Sequence, residues 1–186
     1  MEKQLSIYSQ VSKEKKGSAL PEKREPKHTT WTVYVDGAAR GNPGPAGAGI
    51  WVVSGDEAII KKGIYLGHKT NNQAEYLALA LALYFVHTYC KEHDLPLPAL
   101  HIISDSELLI KQCKGIYKVK NDALKLLKGF IDSMLIGIRH SFSHVLRENN
   151  KNADSMANTG VDKKIKMPIG FSKIMAEYFP LITDIL

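Results

Sequence analysis

The stretch Tyr76–Val86, YLALALALYFV, is apolar at every position. A helix on a protein surface shows an apolar stripe and a polar face, whereas one that is apolar all round must be covered on several sides. With its flanks the segment reads as one long helix, Asn71 to Glu92, whose regular alanines permit close approach. The chain must therefore supply a sheet for one side of this helix and another helix for the other.

Both are written nearby. WTVYVD from Trp31 alternates, the Gly/Pro string GAARGNPGPAG interrupts it as a loop, AGIWVVS resumes, and AIIKKGIYLG follows GDE. This pattern predicts three antiparallel strands in a meander. Beyond the long helix, LHIIS at 100–104 predicts a short buried strand feeding a helix from about Asp105 to Gln112, with SDS offering N-cap groups. DALKLLKGFIDSML places Ala123, Leu124, Leu127, Phe130, Ile131 and Met134 at helical spacing. IRHSFSHVL alternates as a last strand, and Asn149 starts a helix through about Gly160. The order β-β-β-α-β-α-α-β-α predicts an α/β fold. Its mixed five-stranded sheet would have strand order 3-2-1-4-5, with helices on both faces.

A length of 186 residues suits one such domain with flanking segments. Residues 1–30 mix Lys, Glu, Ser and Pro without a period and read as a flexible basic tail, either a passive linker or a weak nucleic-acid tether. Residues 31–160 form the domain. Residues 161–186 are a C-terminal apolar extension, with more large apolar side chains than a solvated tail would carry, to be packed on the domain or on a partner. Pro180 would interrupt a long helix there. No apolar run is long enough for a membrane span and no secretory signal pattern opens the chain. The two cysteines, Cys90 and Cys113, form no metal-binding pair. A cytoplasmic monomer is the expectation.

Lys and Arg number 25 against 19 acids, a net charge of +6. Such a balance suits a polyanionic partner or simply a solvated surface. Four acids stand out against it: Asp36, Glu75, Asp105 and Asp154 each sit where a strand meets a turn or a helix begins. Singly, each has a plain explanation. Asp36–Gly37 reads as a turn, Asp105 as a helix N-cap, Asn72 with Glu75 as a capping box, and Asp154 as a carboxylate favoured by a helix dipole. Adjacent first and fourth strands would nevertheless bring all four together as a metal-binding cluster.

The strings that carry these acids, DG-x3-GNPG, TNN-x2-E, SDS and N-x3-D, resemble as an ordered set the type 1 ribonucleases H, over about residues 31–160. The resemblance implies an endoribonuclease that cleaves the RNA strand of RNA/DNA hybrids, leaving 5′-phosphate and 3′-hydroxyl ends. It implies two Mg²⁺ ions, with Mn²⁺ as a possible substitute, held by Asp36, Glu75, Asp105 and Asp154. Clustered carboxylates raise one another's pKa unless cations neutralise them, and hard oxygen ligands select such cations. Two ions about 3.5–4 Å apart would serve the attacking water and the leaving oxygen.

The resemblance further implies that Asn42, Asn71 and Asn72 face the RNA, amides being suited to a 2′-hydroxyl. Thr70 and Asn121 would grip a DNA phosphate, Asn121 being equally readable as a helix N-cap. His144, ten residues before Asp154, corresponds to an accessory catalytic histidine or to a half-buried structural one. Arg147 is the alternative accessory residue. Three positions depart from the pattern. His68 replaces an arginine, Glu107 stands where many relatives have glutamine, and the short CKGIYKVKND connection leaves no room for a basic helical protrusion. Two other classes fit less of the sequence: a different nuclease or polynucleotidyl transferase of the same fold, and a non-catalytic hybrid-binding module.

Overall fold

The structure, a computed structural model, describes residues 30–179. The basic tail and Pro180 therefore lie outside the described residues, except for Thr30. Five strands form one sheet: β1 Thr30–Ala39, β2 Gly44–Ser54, β3 Glu57–Lys69, β4 Ala99–Ser104 and β5 His140–His144. Their spatial order is β3-β2-β1-β4-β5. The first three pair antiparallel, while β4 runs parallel to both β1 and β5. Among the described residues five α-helices accompany them: α1 Asn71–Glu92, α2 Glu107–Cys113, α3 Asp122–Met134, α4 Lys151–Lys163 and α5 Ile169–Tyr178, with a 3₁₀ turn at Arg147–Asn149.

The long apolar helix lies where its sequence requires. Leu77, Leu79, Leu81 and Leu83 are all fully buried, as are the intervening alanines. One side of α1 covers Trp31, Val33 and Val35 of β1 and the neighbouring β2, and α3 and α5 close over the other. The opposite sheet face carries α4, which buries Ala153, Ala157 and Val161 against β2 and β3. Glycines at Gly47, Gly49 and Gly63 face this helix, so its backbone lies almost on the sheet.

Several boundaries differ from the sequence expectation, each for a physical reason. The strand containing Asp36 does not stop at the Asp–Gly pair but continues to Ala39, paired residue by residue with β2 through Ala39 and Ala46. The loop shrinks to the Arg40–Pro43 turn, closed by the Arg40 amide donating to the Pro45 carbonyl at 2.8 Å. The last strand is only five residues because its partner β4 ends at Ser104, whose carbonyl accepts the last ladder bond, from the Val145 amide. α4 begins at Lys151, after the 3₁₀ turn, and passes Gly160 to end at Lys163, where Lys164 turns left-handed at φ 46°. The end of the domain assigned to residue 160 thus falls inside a helix. α5 packs on the domain: Phe171 is fully buried, edge-on to Tyr84 and Phe130 at centroid distances of 5.5 and 6.2 Å.

Candidate active site

Asp36 pairs with Gly49 within β1, the strand that separates the antiparallel from the parallel half. Beyond the strand ends at such a switch of direction is the usual place for a site in an open α/β sheet. The chain turns there through Asp105, and Ser106 rather than Asp105 caps α2, its hydroxyl accepting from the Leu109 amide. Asp105 is thus free of the capping role that its position suggests.

Glu75 reaches the same place through a backbone contact. A Cβ on Gly37 would lie 2.1 Å from the Glu75 nitrogen and 2.3 Å from the Ala74 carbonyl carbon. Only glycine lets β1 touch the first turn of α1, and the Gly37 amide donates to the Glu75 carboxylate. The cap of α1 is Thr70, whose hydroxyl accepts from the Gln73 amide at 3.2 Å while Gln73 Oε1 accepts from the Thr70 amide at 2.9 Å. The Asn72–Glu75 capping box expected from spacing is therefore shifted by two residues, and Glu75 is released to face Asp36. Asp154 arrives from the first turn of α4, held close by the glycine-lined contact with β2.

The acids interact, and their environment raises the pKa of two of them, Asp36 and Glu75. Burial, then the nearby Asp105 and Asp154 charges, pushes the Asp36 carboxyl up to about 7. Burial and the charges of Asp36 and Asp105 raise Glu75 well above the usual carboxylate range. Asp36 and Glu75 are only 5 and 6 % exposed, and Glu75 Oε2 has no hydrogen-bond partner. Such buried, mutually repelling oxygens with unused acceptor capacity are what a hard divalent cation neutralises.

Two further side chains hold the acids in place. Arg147 pairs with Asp154, and its charge reaches Asp36 and Asp105. Asn150, buried and absent from the sequence expectation, donates through Nδ2 to the Val35 carbonyl at 2.9 Å and to Asp105 Oδ1 at 2.7 Å. Among the described residues, no group of three or more His, Cys, Asp or Glu side chains is already arranged as a metal-holding set. Mg²⁺ typically completes its shell with water and substrate oxygens, so few protein oxygens are needed at once.

The remaining candidates lie around this cluster. Asn42, Asn71 and Asn72 are exposed together, the Asn71 amide donating to Asn42 Oδ1 at 3.1 Å. That bond spends the Asn42 carbonyl and leaves its amide nitrogen outward. Asn121 caps α3, accepting from the Leu124 amide at 3.0 Å. His144 is exposed, and its Nε2 donates to the Asp105 carbonyl at 3.2 Å, so it touches the backbone of an acid while Arg147 touches a carboxylate. Glu107 is answered by Lys111 at 2.6 Å, and His68 is exposed.

Known proteins resemble this chain in sequence and in fold. Ribonuclease HI of Halobacterium salinarum is 38 % identical over 131 residues, covering 69 % of this chain and 63 % of that protein. A bifunctional protein of Mycobacterium tuberculosis is 31 % identical over 70 % of this chain, which spans only 35 % of its length. Among solved structures, the halobacterial RNase H1 superposes with a TM-score of 0.66 at 35 % identity, covering 72 % of this chain and 98 % of that one. LC11 RNase H1, solved in complex with an RNA/DNA hybrid, gives 0.67 at 35 % identity with the same coverage. The RNase H family model matches residues 28–162, well over half of the sequence. By sequence, by sheet order and by the strings that carry its clustered acids, the chain belongs to the RNase H family.

Proposed function

We propose that this protein is an endoribonuclease that hydrolyses the RNA strand of RNA/DNA hybrids, leaving 5′-phosphate and 3′-hydroxyl ends. The observation that carries the proposal is the convergence of Asp36, Glu75, Asp105 and Asp154, from four different places in the fold, with burial and repulsion raising the pKa of two of them. The hybrid bound by the LC11 relative supports the substrate class.

The four carboxylates would hold two Mg²⁺ ions, or Mn²⁺ in their place. Bound there, the cations would neutralise phosphate charge and lower the pKa of a water. The chain's own residues do the rest. Glu75 is fixed by the Gly37 amide and Asp105 by Asn150, so both present oxygens without reorganisation. Arg147 balances Asp154 and can shift its guanidinium toward an incoming phosphate, being exposed. Asn42, Asn71 and Asn72 supply outward amides to a ribose 2′-hydroxyl, and Thr70 and Asn121 flank the path of the second strand.

The test is cleavage of RNA/DNA, RNA/RNA and DNA/DNA duplexes of one sequence in Mg²⁺. Cutting confined to the RNA of the hybrid is expected, with Asp36→Asn abolishing it while hybrid binding persists. Cleavage of DNA duplexes would favour another nuclease of this fold, and no cleavage at all would leave a binding module.

A further inference from the structure

α4 runs out through the string Asp162, Lys163, Lys164, Ile165, Lys166, and the match to the family model stops at residue 162. The Lys163, Lys164 and Lys166 side chains are exposed and make no ion pair with other described residues. The acid beside them, Asp162, is taken by Arg40. Three ammonium groups so close in the chain repel one another, and a polyanion relieves that repulsion.

The backbone that carries these lysines is fixed. A Cβ on Gly160 would lie 2.7 Å from the Ile64 nitrogen, so the end of α4 rests directly on β3. The Ile165 amide donates to the Gly160 carbonyl at 3.3 Å, and the Ile165 carbonyl accepts from the Tyr65 amide of β3 at 2.7 Å. Met167 then packs on the core. Between these ties Lys164 is left-handed, at φ 46° and ψ 46°, where glycine is the usual residue. A lysine there carries a conformational cost that glycine would not, and the backbone hydrogen bonds around it make no use of its side chain.

The helix itself sets the distance from the acids. Asp154 lies in the first turn of α4 and Lys164 just past the last, about 15 Å farther along at the rise of an α-helix. The Arg40–Asp162 pair fastens that end of α4 to the β1–β2 turn that carries Asn42. The lysines thus lie on the β3 side of Asp36, with Asn42 and Asn71, the ribose side of a bound hybrid. A strand carries one phosphate for about every 3.4 Å of duplex axis, so about 15 Å corresponds to roughly four nucleotides. We propose that Lys163, Lys164 and Lys166 hold phosphates of the ribose strand roughly four nucleotides from the bond to be cut, anchoring the hybrid beyond the three asparagines. Such contacts add affinity and register without reading sequence. The inference rests on the hybrid endoribonuclease function proposed above, and the lysines act on binding rather than on the chemical step.

Anisotropy of labelled RNA/DNA hybrids in EDTA tests the contact without relying on cleavage. Replacing Lys163, Lys164 and Lys166 with Gln should weaken binding about ten-fold and flatten the salt dependence by about 0.9 for each phosphate no longer neutralised. Lys164→Gly alone should flatten it by about 0.9 while melting no lower than the unaltered protein, since glycine suits the left-handed position. On a hybrid whose ribose strand carries neutral methylphosphonate linkages, the triple substitution should cost less than about two-fold; the same linkages in the deoxyribose strand should leave the ten-fold loss in place. An unchanged salt slope overturns the proposal. So does a loss that disappears when the deoxyribose strand is the neutral one, or an equal loss per lysine from Lys61→Gln/Lys62→Gln in the first half of β3. Cleavage in Mg²⁺ is followed in parallel, where the triple variant should raise KM and keep kcat within about two-fold; a fall in kcat at unchanged KM counts against the contact. No cleavage by the unaltered protein sinks the enzymatic reading alone, whereas cleavage with an unchanged salt slope in the triple variant sinks the lysine contact alone.

Discussion

Asn150 is 1 % exposed, and its Nδ2 bridges the Val35 carbonyl on β1 to Asp105 Oδ1 beyond β4, while its own Oδ1 has no partner. One amide thus joins the two parallel strands at the point where they deliver their acids. An asparagine ahead of a helix normally reads as an N-cap, and for that reason its role was hidden in the string ENNKNAD; in the structure its side chain makes no cap hydrogen bond. Asn150→Ala leaves a buried carbonyl unpaired, at a cost of about 1–3 kcal/mol. Asn150→Asp does the same and also sets a carboxylate against Asp105, raising the cost to about 3–5 kcal/mol at neutral pH. Urea denaturation should therefore rank Asp below Ala, with the gap narrowing at pH 5, and hybrid cleavage should fall in the same order. Equal stability of the two variants would mean that the bond to Asp105 contributes nothing.

Among elements, α4 is positioned by what its neighbours lack. A Cβ on Gly49 would lie 1.9 Å from the Ala153 carbonyl oxygen and 2.5 Å from the Ala157 nitrogen, so a side chain there must push the helix outward and Asp154 with it. Gly49→Ala should cost about 1–3 kcal/mol or more, since only backbone can give way, and should reduce cleavage further than that loss of stability explains. Gly129 in α3 provides the control: its nearest neighbour would be the Tyr178 hydroxyl at 3.7 Å, and Gly129→Ala should stabilise by about 0.5–1 kcal/mol with activity intact. Chemical denaturation and initial rates for both variants check the pair. Strand order and helix existence were legible in the sequence because they follow from apolar period and length, as with Tyr76–Val86. Cap positions were not. Thr70–Gln73 and Asn72–Glu75 share one spacing, and only the fit of Gly37 against Ala74 and Glu75 decides between them. Likewise an Asp–Gly pair reads as a turn until a long-range contact explains the glycine.

At the scale of the whole molecule, stability and the candidate site pull in opposite directions. The C-terminal helix adds core beyond the matched family region: Phe171→Ala empties a fully buried site between Tyr84 and Phe130 and should cost about 3–5 kcal/mol, with cleavage retained in the cold. The acidic cluster works the other way. Asp36 titrates near 3.8 in an unfolded chain and at about 7 in the fold, so between those values the folded state binds the extra proton. Stability from this group is full below pH 4 and is lost as pH rises through 7. Glu75, raised well above its ordinary value, adds a loss of the same sign. His87 opposes it at the acid end: burial lowers its pKa although Nε2 donates to the Met134 carbonyl at 3.0 Å, so its contribution is present above 6.5 and lost as pH falls. A variant comparison separates them. In EDTA, Asp36→Asn should melt above the unaltered protein at pH 8 by several degrees, each kcal/mol being worth about 2–4 °C in a chain of this size, and the difference should vanish near pH 4. Millimolar Mg²⁺ should raise the melting temperature of the unaltered protein at pH 8 and leave that of Asp36→Asn nearly unmoved, because a cation relieves the repulsion that the substitution has already removed. A melting temperature for Asp36→Asn that tracks the unaltered protein from pH 4 to 8 in EDTA would mean that the four acids are not crowded enough to need a cation.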